Sequence, residues 1–373
     1  MARLGDVVRI EASSKQVTGD KFWLLNLDMV EQQTGNVIDY NYVGRDALNG
    51  SIIQFDTDCV LYSKLRPNLN KVVLPNQDGF ATSEMLPLRP DTKVLKKEYL
   101  TVFLRSESFV TWAVSKTAGA KMPRLGTKEL LSKEIPLPSL LDQDQIAQRF
   151  AKIDKLIALR KEQLAKLDQL VKSRFIELFG DTPDGEKVAM ADICRIITDG
   201  THQPPKFVSE GIPFLFVSNI VTNEIRYDAQ KFISEETYAE LIKRTPIAIG
   251  DILLSTVGSY GHPAVVKTEK PFCFQRHIAY LKPNADIVDS EYLRGAILSA
   301  DVQRQIDEGV KGIAQKTLNL SDIRKIRLPL PPMESQKQFA AFVEQTDKSK
   351  LAIQQSLDKM ELLKKSLMQE YFG

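Results

Sequence analysis

The chain has 373 residues, 43% of them hydrophobic and 26% charged, and 50 Lys and Arg against 48 Asp and Glu give a formal net charge of +2. This is ordinary soluble material, long enough for two or more full cores, and no apolar run approaches the ~18 residues of a membrane span. So small a net charge excludes a uniformly basic surface, and a nucleic-acid binder of this composition must concentrate its positive charge on one face.

Met1–Asp6 lacks the layout of a signal peptide. The three cysteines, Cys59, Cys194 and Cys273, are far apart and form neither a disulfide framework nor a zinc spacing, which points to a reducing cytoplasm. The first region begins with Leu4-Gly5-Asp6-Val7-Val8-Arg9-Ile10. Strand-like segments follow at Phe22–Leu27, at Cys59–Leu65, which ends at Pro67, and at Val72–Leu74, which stops at Pro75. Tyr99–Val114 reads as one helix, with apolar residues three to four apart. The mixture predicts an α+β domain built on a curved sheet with many loops.

A proline-broken segment, Pro136-Leu137-Pro138, then leads into a stretch free of Pro and Gly from Asp142 to Phe179. Apolar side chains recur there at Ile146, Phe150, Ile153, Ile157, Leu164, Leu167, Val171 and Leu178, in alternating steps of four and three, with Arg160 and Arg174 at the skipped positions. This is a heptad seam on a helix roughly 57 Å long.

The second region opens as the first does, with Met190-Ala191-Asp192-Ile193-Cys194-Arg195-Ile196. Pro213–Val217 is a strand candidate, Glu235–Lys243 looks helical, Gly250–Ser255 matches Asp56–Tyr62, Leu281-Lys282-Pro283 matches Leu88-Arg89-Pro90, and Tyr292–Ile306 is a second helix candidate. The last stretch repeats the earlier tail. Gly312–Gly373 aligns without a gap on Gly119–Gly180, 193 residues earlier, placing Gln336 on Gln143, Asp347 on Asp154 and Phe372 on Phe179. The chain is therefore two similar halves, each a variable region followed by a similar helix. The second seam carries Phe339, Val343, Ile353, Leu357, Met360, Leu367 and Tyr371, with Lys350 and Lys364 where the first has Ile157 and Val171. Because the polar seam positions are exchanged between the helices, an antiparallel pair is expected, with its register fixed by those cations.

Signatures of catalysis are scarce. There is no phosphate-cradling Gly-x-x-x-x-Gly-Lys-Ser/Thr, no Asn/Asp-Pro-Pro-Tyr segment of the amino-methyltransferase type and no Gly-rich cofactor loop after an N-terminal strand. Pro183-Asp184-Gly185-Glu186-Lys187 reads as a turn rather than a nuclease metal site, and His202, His262 and His277 have no partners at ligand spacing, so neither a catalytic nor a metal residue is assigned. The variable regions do offer loops that mix basic, amide, hydroxyl and aromatic side chains, the types that reach phosphates and base edges. In the second half these are Thr201, His202, Gln203 and Lys206 in Asp199–Phe207, then Ser259, Tyr260 and His262, then Gln275, Arg276 and His277, and Lys316. In the first half they are Lys64, Arg66, Asn68, Asn70 and Lys71, with Lys121 and Arg124 further on.

These features together resemble the specificity (S) subunit of type I restriction-modification systems. The resemblance covers essentially the whole chain. It is carried by Ile135-Pro136-Leu137-Pro138 followed by Gln143-Asp144-Gln145-Ile146-Ala147, by Leu328-Pro329-Leu330-Pro331-Pro332 followed by Glu334-Ser335-Gln336, and by Asp199-Gly200-Thr201-His202. The first half has Glu11-Ala12-Ser13-Ser14-Lys15 where that last motif would stand, so it should read different bases. The resemblance implies a target-recognition domain at 1–138, a central helix at 139–181, a second recognition domain at 182–331 and a closing helix at 332–373. It implies that each domain reads one half of a split, asymmetric site in double-stranded DNA, and that the helices set the spacer, roughly 17 base pairs for ~57 Å. It further implies that two modification (M) subunits dock on the helices and bring S-adenosylmethionine and adenine methylation. Restriction (R) subunits would bring ATP, Mg2+ and cleavage. This chain would be a non-catalytic, cytoplasmic reader with no cofactor of its own. Two readings of another class compete with it, a coiled-coil adaptor that never touches DNA and a standalone methyltransferase or nuclease.

Overall fold

The computed structural model describes residues 1–16, 18–48, 50–180, 186–312 and 316–373. The Pro183–Gly185 part of the expected turn lies outside the described residues. Contacts divide the chain into two units, Met1–Glu162 with Gln354–Gly373, and Gln163–Ile353. Each long helix thus gives one part of itself to each unit instead of standing as a separate piece.

In the first unit, a four-stranded antiparallel sheet runs in the order Val8–Ile10, Met85–Pro90, Val60–Ser63, Val72–Val73. A second sheet runs Tyr42–Val43, Phe22–Leu25, Gly79–Thr82, Ile52–Phe55, and its two middle strands are parallel. The other unit repeats the frame. Cys194–Asp199, Ile278–Pro283, Ile252–Ser255 and Pro263–Val265 form the antiparallel sheet, and Phe232–Ile233, Ile212–Leu215 and Cys273–Phe274 form the second, mixed one. In both, a strand ending in proline, Met85–Pro90 or Ile278–Pro283, is central and buried along most of its length.

Both helices expected before the tails are in fact helix pairs. Lys97–Arg105 is followed by Glu107–Ser115, and Ser290–Ile297 by Ala300–Gly309. The break falls on Ser106 and Ser299, residues in extended conformation whose hydroxyls accept from the amides of Phe109 and Val302 and donate to Phe103 and Ala296 carbonyls at 2.7 Å. A serine that caps the next helix satisfies donors that a continuous helix would not expose, an advantage of about 1 kcal/mol. Apolar periodicity carries straight across such a break, which is why it reads as a single helix.

The long helices are Leu140–Phe179 and Met333–Phe372, 40 residues each. Within the first unit, Arg149 donates to the Tyr371 hydroxyl at 2.6 Å and Lys364 pairs with Asp154 at 2.6 Å, so the two run antiparallel there. Within the second, Lys350 meets Asp168 at 2.8 Å and Phe175 packs on Phe339, with the same sense. Of the expected seam, Ile146, Phe150, Ile153, Phe339, Val343 and Leu357 are buried, while Ile157, Leu164, Leu167, Val171, Leu178, Ile353, Met360 and Leu367 are half-buried. Phe175, which the heptad count passed over, is buried among Phe179, Tyr292 and Phe339. Of the seam cations, Lys350, Lys364 and Arg174 meet carboxylates or a ring. Lys350 also reaches Glu224 at 2.6 Å, and Arg174 pairs with Glu177 and lies over the Phe342 ring.

Each helix is joined to its domain by the same device. Gln143 and Gln336 are fully buried. The Gln143 side chain accepts from the Lys96 amide at 2.9 Å and donates to the Val94 and Pro138 carbonyls at 2.9 and 3.0 Å. Gln336 accepts from the Asp289 amide at 2.8 Å and donates to Pro331 and Ile287 carbonyls at 2.8 and 3.4 Å. Beside them the Tyr99 and Tyr292 hydroxyls donate to the carbonyls of Pro136 and Pro329. The glutamine and tyrosine side chains thus donate to main-chain carbonyls on both sides of the joint.

Candidate nucleic-acid interface

Antiparallel pairing sets Asp199 beside Ala279 and Ser255 beside Ile278. Three strands of the second unit therefore end at one edge of the sheet, and the predicted loops leave from there. Thr201 bridges Gln275, the Arg276 amide donates to the Thr201 carbonyl at 3.0 Å, and the Thr256 amide to the His277 carbonyl at 3.0 Å. Gly258 donates to the Lys316 carbonyl at 3.1 Å, and the Lys316 ammonium lies 5.9 Å from the Tyr260 ring centre. One edge thus gathers Thr201, His202, Gln203, Ser259, Tyr260, Gln275, Arg276, His277 and Lys316. Lys206 is exposed further along its loop, next to Phe207, which packs on Phe214.

Gly200 is what lets this loop lie down. A Cβ there would sit 2.2 Å from the Phe274 carbonyl oxygen and 2.5 Å from that of Gln275. His262 turns inward, with its ring nitrogen 3.2 Å from Asn223, and burial lowers its pKa. Burial and the neighbouring Arg276 charge do the same to His277, which favours the neutral ring in both. A neutral imidazole is a hydrogen-bonding group with one donor and one acceptor, suited to a base edge more than to a phosphate.

In the first unit the corresponding edge holds Lys64, Arg66, Lys121 and Arg124. Leu65 bridges Arg124, the Arg66 amide donates to the Pro123 carbonyl at 2.8 Å, and the Arg66 guanidinium lies 3.5 Å from the Lys121 carbonyl. Three of the expected residues are held by groups of the protein itself. Asn70 is buried in a left-handed conformation, φ 49°, and its amide donates to the Arg105 carbonyl at 3.1 Å. The Lys71 ammonium points into the domain, onto the Leu27 carbonyl, where burial lowers its pKa. The left-handed turn at Asn70 swings both side chains away from the edge. Arg124 remains on the surface, but its guanidinium is already held by both Glu84 oxygens, at 2.9 to 3.2 Å. Asn68 is exposed, its carbonyl accepting from Gln33. Glu11–Lys15 does not mirror the Asp199–His202 loop. Ser13 donates to buried Asp56 at 2.7 Å, and Lys15 pairs with Asp58 at 3.2 Å.

Asp56 anchors a second repeated device. Arg89 reaches it at 2.8 Å, as Lys282 reaches Asp251 at 3.1 Å in the other unit. Burial alone would raise the Asp56 pKa, but hydrogen bonds from Arg89 and Ser13 outweigh it and hold the value at about 2. Among the described residues no group of three His, Cys, Asp or Glu is placed to hold a metal ion, and no helix is long and apolar enough to cross a membrane.

The family model of the type I restriction modification DNA specificity domain matches this chain twice, over residues 2–169 and 184–362. The chain belongs to this family. Its relatives include the MjaVIII specificity subunit of Methanocaldococcus jannaschii, 23% identical over 312 residues that make up 78% of this chain and 72% of that one. The EcoBI specificity subunit of Escherichia coli is 26% identical over 262 residues, 61% of this chain and 54% of that one. Among solved structures, an S subunit of a type I system from M. genitalium matches with a TM-score of 0.60 at 14% identity, covering 100% of this chain and 95% of that one. A chain from a study of assembly and conformational transition in a type I R-M system matches with a TM-score of 0.58 at 18% identity, covering 100% and 96%. The function of the family's domain is DNA specificity, and the adaptor without DNA readout is set aside. The two matched spans coincide with the two halves of the repeat.

Sequence reasoning missed one functional candidate at the second edge, Arg244, whose guanidinium is held 2.5 Å from Asp199. Its partner lies 45 residues earlier, and only the Lys243-Arg244 pair ahead of Pro246 marks the place in the sequence.

Proposed function

We propose that the chain is the non-catalytic reader of a type I restriction-modification complex, acting in the cytoplasm, with each half reading one part of a bipartite DNA site. The observation that carries this is the pair of family matches, each covering a sheet edge crowded with basic, amide and hydroxyl groups and followed by a long helix. Phosphate contacts would supply much of the affinity and make it salt-dependent, while the loops select bases. The helices set the spacer. Their exposed leucines, Leu156, Leu159 and Leu170 on one and Leu351, Leu362 and Leu363 on the other, are apolar groups outside the seam and suit helices of two M subunits. Those subunits would carry S-adenosylmethionine, and R subunits ATP and Mg2+.

The test is an exchange of residues 188–320 for the matching region of a specificity subunit with a different target, expressed with the M partner. Mapping methylated adenines across the host genome should show one half-site changed and the other kept. Two altered half-sites, or none, would overturn the division of labour. Absence of any methylation motif for the unaltered chain would overturn the reading itself.

A further inference from the structure

Three residues stand together where the Cys194–Asp199 strand ends. Asp199 is largely buried, its side chain 14% exposed, and both carboxylate oxygens are used. One takes the Arg244 Nη2 at 2.5 Å and the other takes the His202 Nε2 at 2.9 Å. The Arg244 and His202 side chains are each about half exposed. Arg244 comes from a different segment, beyond the Glu235–Leu241 helix, and that segment is fixed in turn. Thr245 is buried, and the Pro246 carbonyl accepts from the Tyr280 hydroxyl at 2.8 Å.

A carboxylate facing DNA is repulsive unless it does something for its neighbours. Here it is neutralised by Arg244 and orients two readers at once. A guanidinium has five N–H donors in a rigid fork. The Nη2 also lies 3.5 Å from His202 Nε2, but a ring nitrogen that gives its proton to Asp199 has no lone pair left for Arg244, so the second Nη2 hydrogen and Nη1 remain for the end of the fork. That pair matches the O6 and N7 acceptors of guanine in the major groove. A phosphate contact needs no such bracing, since a mobile charge serves it equally well. The ring of His202 is constrained likewise. Its Nε2 is tied to Asp199, which leaves Nδ1 as the ring's other hydrogen-bonding nitrogen.

Resting on the reading of the second unit as a DNA-binding domain, we propose that Arg244 reads a guanine in the half-site of that unit and that Asp199 is its positioning residue. The chemistry asked of the DNA is a paired acceptor edge, in register with the acceptor-seeking face of the fork.

The probes are duplexes carrying the bipartite site mapped from the methylated adenines of the unaltered complex, and the same duplexes with each half-site base pair changed singly. Full-length chain with its M partner is measured for binding to each. Arg244→Lys keeps the charge and loses the fork. It should lose discrimination at one G·C pair of one half-site, by roughly tenfold or more, and keep the other half-site unchanged. Asp199→Asn should lose discrimination at the same base pair while binding random duplex no more weakly, because a negative charge has been removed. If Asp199 had only a structural or repulsive role, its replacement would leave discrimination intact. Full discrimination in Arg244→Lys, or an equal loss at every position, overturns the proposal. Should the unaltered complex itself select no site, the DNA reading falls with it, and the two failures are told apart by that control.

Discussion

Replacing Gln143 by leucine removes one buried amide and strands three backbone groups, the Lys96 N–H and the Val94 and Pro138 carbonyls. The Gln143 side chain is fully closed to solvent, whereas Val94 is exposed and Lys96 and Pro138 are half-buried, so water can take over part of what it leaves. A buried group left without its partner costs about 1–3 kcal/mol, and three partly buried ones, less the gain from an added apolar side chain, come to about 2–4 kcal/mol. That is a large share of the 5–15 kcal/mol typical of a whole domain. Urea unfolding of the full chain, followed by fluorescence and circular dichroism, should show the midpoint of one transition fall with its slope unchanged. Gln336→Leu should do the same to the other transition, because the two glutamines share no partner. A loss below about 1 kcal/mol in either variant would mean that the glutamine is not what satisfies these groups, and the account of the joint would be wrong.

Other outcomes follow from the geometry. Asp56 is held near pKa 2, below its unfolded value of about 3.9. Its contribution to stability is therefore complete above pH 4 and is lost as pH falls from 4 towards 2, and carboxyl NMR of Arg89→Met should show the titration move upward. Gly200→Ala, which forces a Cβ against two carbonyl oxygens, should lower the melting temperature by several degrees and weaken recognition of the second half-site, seen by thermal scanning and gel shift. Seven residues inserted into each long helix at matched seam positions, within 155–172 and its antiparallel counterpart, should lengthen the spacer and leave the half-site bases as they were. Methylome mapping reads this directly, and changed bases at constant spacing would contradict it.

The seam was legible because burial of a long helix leaves a spacing that needs no knowledge of the rest of the fold. The duplicated Gln143 and Gln336 were visible as repeats, yet their role was not, since they bond main-chain groups 47 and 49 residues away that carry no signature of their own. Ser106 and Ser299 hid their helix breaks because serine is common on helix surfaces and only the cap geometry reveals the stop. At the two sheet edges, composition picked out loops that the fold gathers, but not the direction of each side chain. Asn70 and Lys71 turn inward on one left-handed residue. Arg124 is claimed by Glu84, and Arg244 becomes a candidate only through Asp199.

The glutamine joint has a consequence for how such a molecule can change. Its partners are amides and carbonyls of the main chain, apart from one tyrosine on each side. Almost any sequence can present those groups if its backbone follows the same path. A whole recognition region can then be traded for an unrelated one without renegotiating the junction. On the reading proposed above, new targets would become reachable in a single recombination event while the long helices keep the same surface.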